Sequence, residues 1–383
     1  MAKANKYHTI EALRKQCQKR IPNVAFEYLE SGTEKENALN SNKSQFESIQ
    51  FIPRFCLGEK TVDLKTTFLN QPFSCPIGIA PVGLTGLIWP NAEKHLLKIA
   101  DKNGIPFCLS TVATCSPEDV DSQNEFSSQS KWFQLYPPKD IDILNSLLKR
   151  VEDNGFSTLV VTIDIPAPSR RERSRHAGLS MPLKFSFRLL VDGLRHPKWT
   201  LATLLNGFPR LKTVESYVNN NSLKFVSRFI GNRLGGVIDW KYIEHIRSKW
   251  NGPLIIKGVL HPDDAIKAKQ VGCDSIYVSN HGGRQFDGGS APLYQLMKIR
   301  EVLGPDYPLV YDSGIRSGLD IMKAIYAGAD FVFVGRPFMY GIGSFQEEGA
   351  QQVFDIFEDQ LRNNMMQIGV ETIGELKSLK NNQ

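Results

Sequence analysis

Ser275-Ile276-Tyr277-Val278-Ser279-Asn280-His281-Gly282-Gly283-Arg284-Gln285-Phe286-Asp287 carries an apolar, β-branched run straight into a histidine, two glycines and an arginine. The run 275–278 reads as a buried strand. Histidine is the side chain best suited to take and return a proton near neutral pH. Arginine presents a flat fork of donors that matches a carboxylate, and the glycines allow a sharp turn and a close approach of backbone to ligand. A base and an anion clamp three residues apart at the end of a strand point to proton removal from an anionic substrate. A surface turn would use the same residues, so the rest of the chain decides.

Moving outward, similar apolar runs occur at 76–81, 106–111, 132–136, 158–164, 254–259, 275–280, 309–314 and 331–336. Helical patterns separate most of them, as at 91–103, 141–154, 262–271 and 318–327. The runs are continuously apolar, as strands of a parallel sheet covered on both faces are. Eight β-then-α units in about 260 residues predict an α/β fold of the closed (β/α)8 barrel type. An open doubly wound sheet is the alternative, but no GxGxxG opens a helix after the first run. The chain of 383 residues is read as one domain, with the barrel at about 76–345. Ahead of it, 7–40 has helical character: Thr9 begins an amphipathic run, Pro22 starts a second helix and Gly32 stops it. A polar stretch and a hairpin-like region ending at Gln71-Pro72 follow.

Active sites of such barrels lie where the strands end. Ser110, Gln134, Tyr136, Thr162, Asp164, Lys257, Ser279, His281, Asp312, Gly335 and Arg336 all fall there. Lys257 ends the run Leu254-Ile255-Ile256, so its cation should meet something anionic or electron-rich in the barrel mouth. Asp312-Ser313-Gly314-Ile315-Arg316-Ser317-Gly318 and Val334-Gly335-Arg336-Pro337 pair glycines with arginines after the last two strands, where barrels often bind phosphate.

Composition sets limits. Hydrophobic residues at 41% and charged ones at 22% are ordinary for a globular protein. No stretch resembles a membrane span, and the first residues lack a signal-peptide core. The six cysteines have no metal-ligand spacing, so no metal site is expected, and buried thiols in a reducing compartment are the simplest account.

These motifs together resemble the FMN-dependent α-hydroxy acid oxidases and dehydrogenases. The match rests on Ser279–Gln285, Ala80-Pro81-Val82-Gly83-Leu84-Thr85-Gly86, Trp132-Phe133-Gln134-Leu135-Tyr136, Ile256-Lys257-Gly258, Asp312-Ser313-Gly314-Ile315-Arg316 and Gly335-Arg336-Pro337. It covers nearly the whole chain, and His196-Pro197-Lys198-Trp199 with Asn206-Gly207 is similar to the bacterial respiratory L-lactate dehydrogenases in particular.

The resemblance implies FMN as cofactor and a small 2-hydroxy acid as substrate, most simply L-lactate going to pyruvate, with electrons passing to a quinone. It implies His281 as the base, held by Asp164. Arg171 and Arg284 would clamp the substrate carboxylate with help from Tyr28, and Tyr136 would meet the substrate oxygen. Lys257 would stabilise the reduced ring. Pro81, Val82, Gly83, Ser110, Gln134, Thr162 and Ser279 would line the flavin and its ribityl chain. Asp312, Gly314, Arg316, Gly335 and Arg336 would hold ribityl and phosphate. Val112 stands where glycolate oxidase has a bulky tryptophan, which favours a larger substrate than glycolate; Gly83 stands where the oxidases tend to carry alanine, which favours a dehydrogenase. A mandelate dehydrogenase, an oxygen-using oxidase and a flavin-binding protein without turnover are the alternatives. Resembling enzymes form tetramers, so a homo-oligomer is expected.

One segment stands apart, a long loop at about 170–240. Between 170 and 233 thirteen Lys and Arg face three acids, an excess of ten in a chain whose net charge is +6. Phe185, Phe187, Leu189, Leu190, Leu194, Trp199, Leu201, Leu204, Leu205 and Phe208 are interleaved with them. Basic plus apolar is the composition of an interfacial anchor. The expectation is peripheral contact with the cytoplasmic face of the membrane through 184–212, in two short helices broken at His196-Pro197. A lid or subunit contact is the competing reading. Nucleic-acid binding is not expected, since no nucleic-acid motif accompanies the charge.

Overall fold

The computed structural model describes residues 3–58, 60–179, 187–218, 234 and 238–379. Eight parallel strands close on themselves: β1 (Ile77–Ile79), β2 (Phe107–Ser110), β3 (Lys131–Leu135), β4 (Thr158–Thr162), β5 (Leu254–Val259), β6 (Ser275–Val278), β7 (Leu309–Tyr311) and β8 (Phe331–Val334), with β8 paired to β1. The expected (β/α)8 barrel is therefore the fold. The run 254–259 coincides with its strand and 132–136 is displaced by one residue; the other six are longer than their strands, mainly because they take in residues just past the strand ends.

The outer helices form for local reasons. Ile141–Asp153 starts at Asp140, whose carboxylate accepts from the Asp142 and Ile143 amides. Gly318–Ala327 starts with a reciprocal capping box between Ser317 and Asp320. Pro262–Gln270 and Pro292–Leu303 each carry proline in the first turn, where its missing N–H costs nothing. Arg336–Gln367 bends at Phe345 and Gln346.

The barrel interior obeys the two-residue period of strands. Cys108, Trp132, Val160, Ile255, Tyr277 and Val310 belong to one buried interior cluster. Two residues further along each strand direction stand Ser110, Gln134, Thr162, Lys257, Ser279 and Asp312, all buried. The interior thus changes from apolar to polar one step below the mouth. A hairpin, Thr66–Phe68 with Gln71–Phe73, contributes Phe68 and Phe73 to the same cluster, and Phe73 packs edge-on to Phe331 at 5.1 Å.

Before the barrel come helices Ile10–Arg20, Asn23–Glu30 and Asn37–Ser44. The second ends at Glu30, two residues ahead of the expected stop at Gly32. The third overlaps the end of the 7–40 stretch expected to be helical and runs on into the polar stretch after it. Its N-terminus is held by a distant residue, Asp287, whose carboxylate accepts from the Ala38 amide at 2.9 Å and the Asn37 side chain at 3.0 Å. One expectation about the cysteines needs correction: five are buried, but Cys56 is exposed, because it lies in an irregular segment outside the core.

Of the long loop, 180–186, 219–233 and 235–237 lie outside the described residues, so Lys184, Phe185, Lys224, Arg228 and Arg233 do too. The rest contains helices Phe187–Arg195 and Pro197–Asn206, divided at His196 as expected from Pro197. The pair is fastened to the barrel side. Asp192 accepts from the Asn23 amide at 2.7 Å, and the Trp199 indole donates to the Leu87 carbonyl at 3.0 Å.

Candidate active site

A cleft of about 970 Å³, counting its open mouth, lies over the strand ends. Tyr28, Pro81, Val82, Gly83, Val112, Gln134, Tyr136, Thr162, Arg171, Lys257, His281, Arg284, Asp312, Gly314, Arg316, Gly335 and Arg336 all line it. The structure thus brings sixteen of the nineteen expected site residues, with Val112, onto one surface; the other three, Asp164, Ser110 and Ser279, stand one layer behind. Ser110 donates to Gln134 at 2.7 Å, and Gln134 in turn donates to Thr162 at 2.9 Å. Ser279 accepts from Lys257 at 2.7 Å. Ser110 and Ser279, expected beside the flavin, stand at the same strand ends and hold the side chains of Gln134 and Lys257 in place.

His281 is held from both sides. Its Nδ1 lies 3.1 Å from Asp164 Oδ1, and its Nε2 lies 3.3 Å from the Tyr136 hydroxyl. With Asp164 accepting at Nδ1, the neutral ring has its acceptor at Nε2, facing the cleft. The backbone of His281 has φ of +59°, a conformation uncommon for a residue with a side chain. Ser279 Oγ steadies it by accepting the His281 amide at 3.0 Å. Gly283 follows at φ +75°, and a Cβ there would stand 2.6 Å from the Leu39 amide nitrogen, so glycine is required by both turn and packing. Burial, and then the charge of Asp164, push the Tyr136 hydroxyl above its ordinary range, so it stays a donor.

Arg284 is half-buried beside Arg171, and desolvation followed by repulsion from Arg171 lowers its pKa well below the usual value. Its Nη1 donates to the Tyr28 and Leu29 carbonyls at 2.8 and 3.2 Å. Nε of Arg171 is buried without a protein partner. Two guanidinium groups in a desolvated cleft, one with an unused donor, form a site for an anion.

Lys257 meets the anion expected for it: its Nζ lies 2.7 Å from Asp312 Oδ2 and 4.2 Å from the centre of the Tyr277 ring. Burial alone would raise the Asp312 pKa, but the Lys257 charge and hydrogen bonds from Lys257, Ser279 and Ser313 outweigh it and leave it lowered. Ser313, Ile315, Gly282, Leu29 and Phe333 also line the cleft and were not assigned beforehand. Ser313, inside the quoted 312–316 motif, accepts from the Gly282 amide at 3.1 Å and so joins the two glycine-rich turns.

The donor set suits FMN. A broad cleft floored by neutral hydrogen-bonding groups fits a flavin ring, and a buried ammonium stands at its side. Arg316 and Arg336 lie at the end built from the last two strands, as a phosphate requires.

The comparisons agree. A family model described as FMN-dependent dehydrogenase matches residues 17–382. An L-lactate dehydrogenase of Xanthobacter autotrophicus is 38% identical over 365 residues, covering 95% of this chain and 93% of that protein. One of Pseudomonas entomophila is 37% identical, covering 95% of each. Among solved structures, a monotopic membrane protein, (S)-mandelate dehydrogenase, superposes with a TM-score of 0.91 at 31% identity, covering 97% of this chain and 98% of that one. A lactate oxidase of Pediococcus acidilactici gives 0.82 at 28% identity, covering 97% and 93%. With the motifs, the barrel and the cleft all in agreement, the chain belongs to the FMN-dependent dehydrogenase family, whose members oxidise 2-hydroxy acids with bound FMN.

Proposed function

We propose that this protein oxidises L-lactate to pyruvate and passes the electrons to a membrane quinone. The observation that carries the reading is His281, braced by Asp164 and facing Tyr136 in a cleft that also holds Arg171 and Arg284. Oxidation of a 2-hydroxy acid removes a proton from oxygen, and a proton and two electrons from Cα. Arg171 and Arg284 bind the carboxylate, with the Tyr28 hydroxyl at the rim. Tyr136 meets the substrate oxygen and aligns its hydrogen with Nε2 of His281. His281 takes that proton, and Asp164 stabilises the imidazolium. FMN, when bound, would supply the oxidant, taking up the two electrons and the proton that leave Cα. Lys257 supplies positive charge beside the ring.

Lactate is favoured by the two L-lactate dehydrogenases at 37–38% identity and by Val112, a medium-sized side chain where the substrate's own side chain would sit. Mandelate is the second reading, supported by the superposition on (S)-mandelate dehydrogenase. Anaerobic bleaching of the flavin by L-lactate, glycolate, mandelate and long-chain 2-hydroxy acids separates them. Fastest bleaching by L-lactate is expected; faster bleaching by mandelate would displace lactate.

Membrane contact is part of the proposal. Leu190, Leu194, Leu201, Leu204, Leu205 and Phe208 are exposed, Leu194 and Leu205 to 72% and 77%. Exposed leucines on adjoining short helices, flanked by Arg195, Lys198 and Arg210, fit insertion at a headgroup boundary. Among the described residues no helix is long and apolar enough to cross a membrane. The basic excess of the segment favours the cytoplasmic face, whose anionic lipids attract it.

A further inference from the structure

We propose that Glu93 is a positioning residue for substrate choice: through Thr114 it fixes the wall of Gly83 and Val112 against which the substrate's side chain packs; this rests on the reading of Val112 as the neighbour of that side chain. Gly83 and Val112 line the cleft from two separate turns, those after β1 and β2. The first turn is not relaxed. Leu84 has φ of +51°, an uncommon conformation for a residue with a side chain, so its surroundings must hold it. The two turns touch: a Cβ on Gly83 would stand 2.7 Å from Val112 Cγ2, and one on Gly86 would stand 2.5 Å from Thr114 Oγ1. Two hydrogen bonds join them, from the Leu84 amide to the Val112 carbonyl at 2.8 Å and from the Gly86 amide to Thr114 Oγ1 at 3.0 Å.

Glu93 closes this pair of turns from behind. It lies in the first turn of the helix Ala92–Lys102, yet it is only 1% exposed. Its Oε1 accepts both the amide and the hydroxyl of Thr114, each at 2.6 Å. The hydroxyl has one proton, which goes to Glu93, so it presents a lone pair to the Gly86 amide. An acidic residue in a first turn is ordinarily explained by the helix dipole. The dipole needs no burial, and an exposed carboxylate would serve it without a desolvation cost. Glu93 Oε2 is buried and has no partner among the described residues. A half-satisfied buried carboxylate is a poor device for stability. What this one secures is the placing of Thr114, two residues along from Val112.

The test ranks substrates on the flavin-loaded, full-length protein. Glycolate has no side chain to meet the wall, L-lactate has a methyl group, and L-2-hydroxyhexanoate has a longer chain. Glu93→Met keeps the length of the side chain and removes the acceptor. It should leave kcat/KM for glycolate nearly unchanged and reduce the preference for L-lactate over L-2-hydroxyhexanoate about tenfold, the low end of what fit in an apolar pocket decides. Glu93→Gln should largely keep the wild-type ranking, because its oxygen can replace Oε1 and its NH2 can replace Oε2, which no donor faces. Thr114→Val should reproduce Glu93→Met, and Thr114→Ser should not, so the result does not hang on one variant folding. On a Val112→Ala background, where the wall is already cut back, Glu93→Met should change the ranking no further. Equal loss for all three substrates, or an effect that simply adds to that of Val112→Ala, would mean that Glu93 only supports the fold and would overturn the proposal. So would an unchanged ranking in both Glu93→Met and Thr114→Val. Val112→Ala alone tests the premise. If it leaves the ranking unchanged, the wall is misassigned and the proposal falls with it; if it changes the ranking and Glu93→Met does not, only the role of Glu93 fails.

Discussion

His281 shows how a single residue joins sequence, strain and chemistry. It keeps an unfavourable φ of +59° because Ser279, Asp164 and Tyr136 each hold one of its polar atoms. His281→Gln should retain FMN yet lose flavin reduction by lactate by about 10²–10⁴, the usual contribution of a general base; near-normal anaerobic bleaching would remove His281 from the mechanism. Arg284→Lys should weaken lactate and pyruvate alike, since lysine cannot both clamp a carboxylate and hold the carbonyls of Tyr28 and Leu29. Unchanged dissociation constants for both ligands would count against it. Gly83→Ala should speed reoxidation of the reduced enzyme by dissolved oxygen, as the likeness to oxidases suggests. The added methyl would stand 2.7 Å from Val112 Cγ2, so Val112 must turn. Slower turnover with lactate, partly recovered by Val112→Ala, is the expected companion effect. These side chains were legible in the sequence because strand ends collect the site. Their mutual bonding was not: that Ser110 pairs with Gln134 and Ser279 with Lys257 depends on how neighbouring strands are staggered, which residue types alone do not give.

At the scale of elements, the strands were legible because buried parallel strands are apolar throughout. Their ends were not, since polar residues of the mouth continue the extended chain. The helix Asn37–Ser44 was legible only in its first half, within 7–40, for a different reason. It has little apolar periodicity, and Asp287, some 250 positions away, holds its first amides. At the opposite end of the barrel, the start of β3 has a similar tie. Lys131 and Asp121 form an ion pair at 2.9 Å with side chains only 2% and 3% exposed. Asp121 also accepts the Glu125 and Phe126 amides at 2.8 and 3.3 Å, whereas Lys131 has, among the described residues, only Asn124, at 3.2 Å, as a further partner. Breaking a buried pair from one side costs about 3–5 kcal/mol. Asp121→Ala should therefore lower the urea midpoint more than Lys131→Met, because it leaves the ammonium nearly alone and two amides unmet. The reverse order would show that the loop at 121–126 is not held by this carboxylate.

At the scale of the molecule, charge is distributed unevenly. The segment 170–233 carries an excess of ten positive charges, which leaves the remainder four negative on a total of +6. The same segment holds the exposed leucines, so its two helices combine the two forces that bring a protein to an anionic bilayer. Each basic side chain near such a surface contributes about 1 kcal/mol, reduced by salt within about 10 Å at 0.1 M. The segment leaves the barrel at the end of β4, the end that bears the cleft, so a membrane contact would lie on the cleft side of the molecule. Replacing 184–212 with a short polar linker should abolish flotation with anionic liposomes and activity with a quinone, and leave activity with a soluble dye. High salt should weaken flotation of the full-length protein without abolishing it, because the leucines do not depend on charge. The anchoring role fails if the shortened protein still floats or the full-length one never does; the helix pair is then a lid or a subunit contact, and its exposed leucines must be covered by protein.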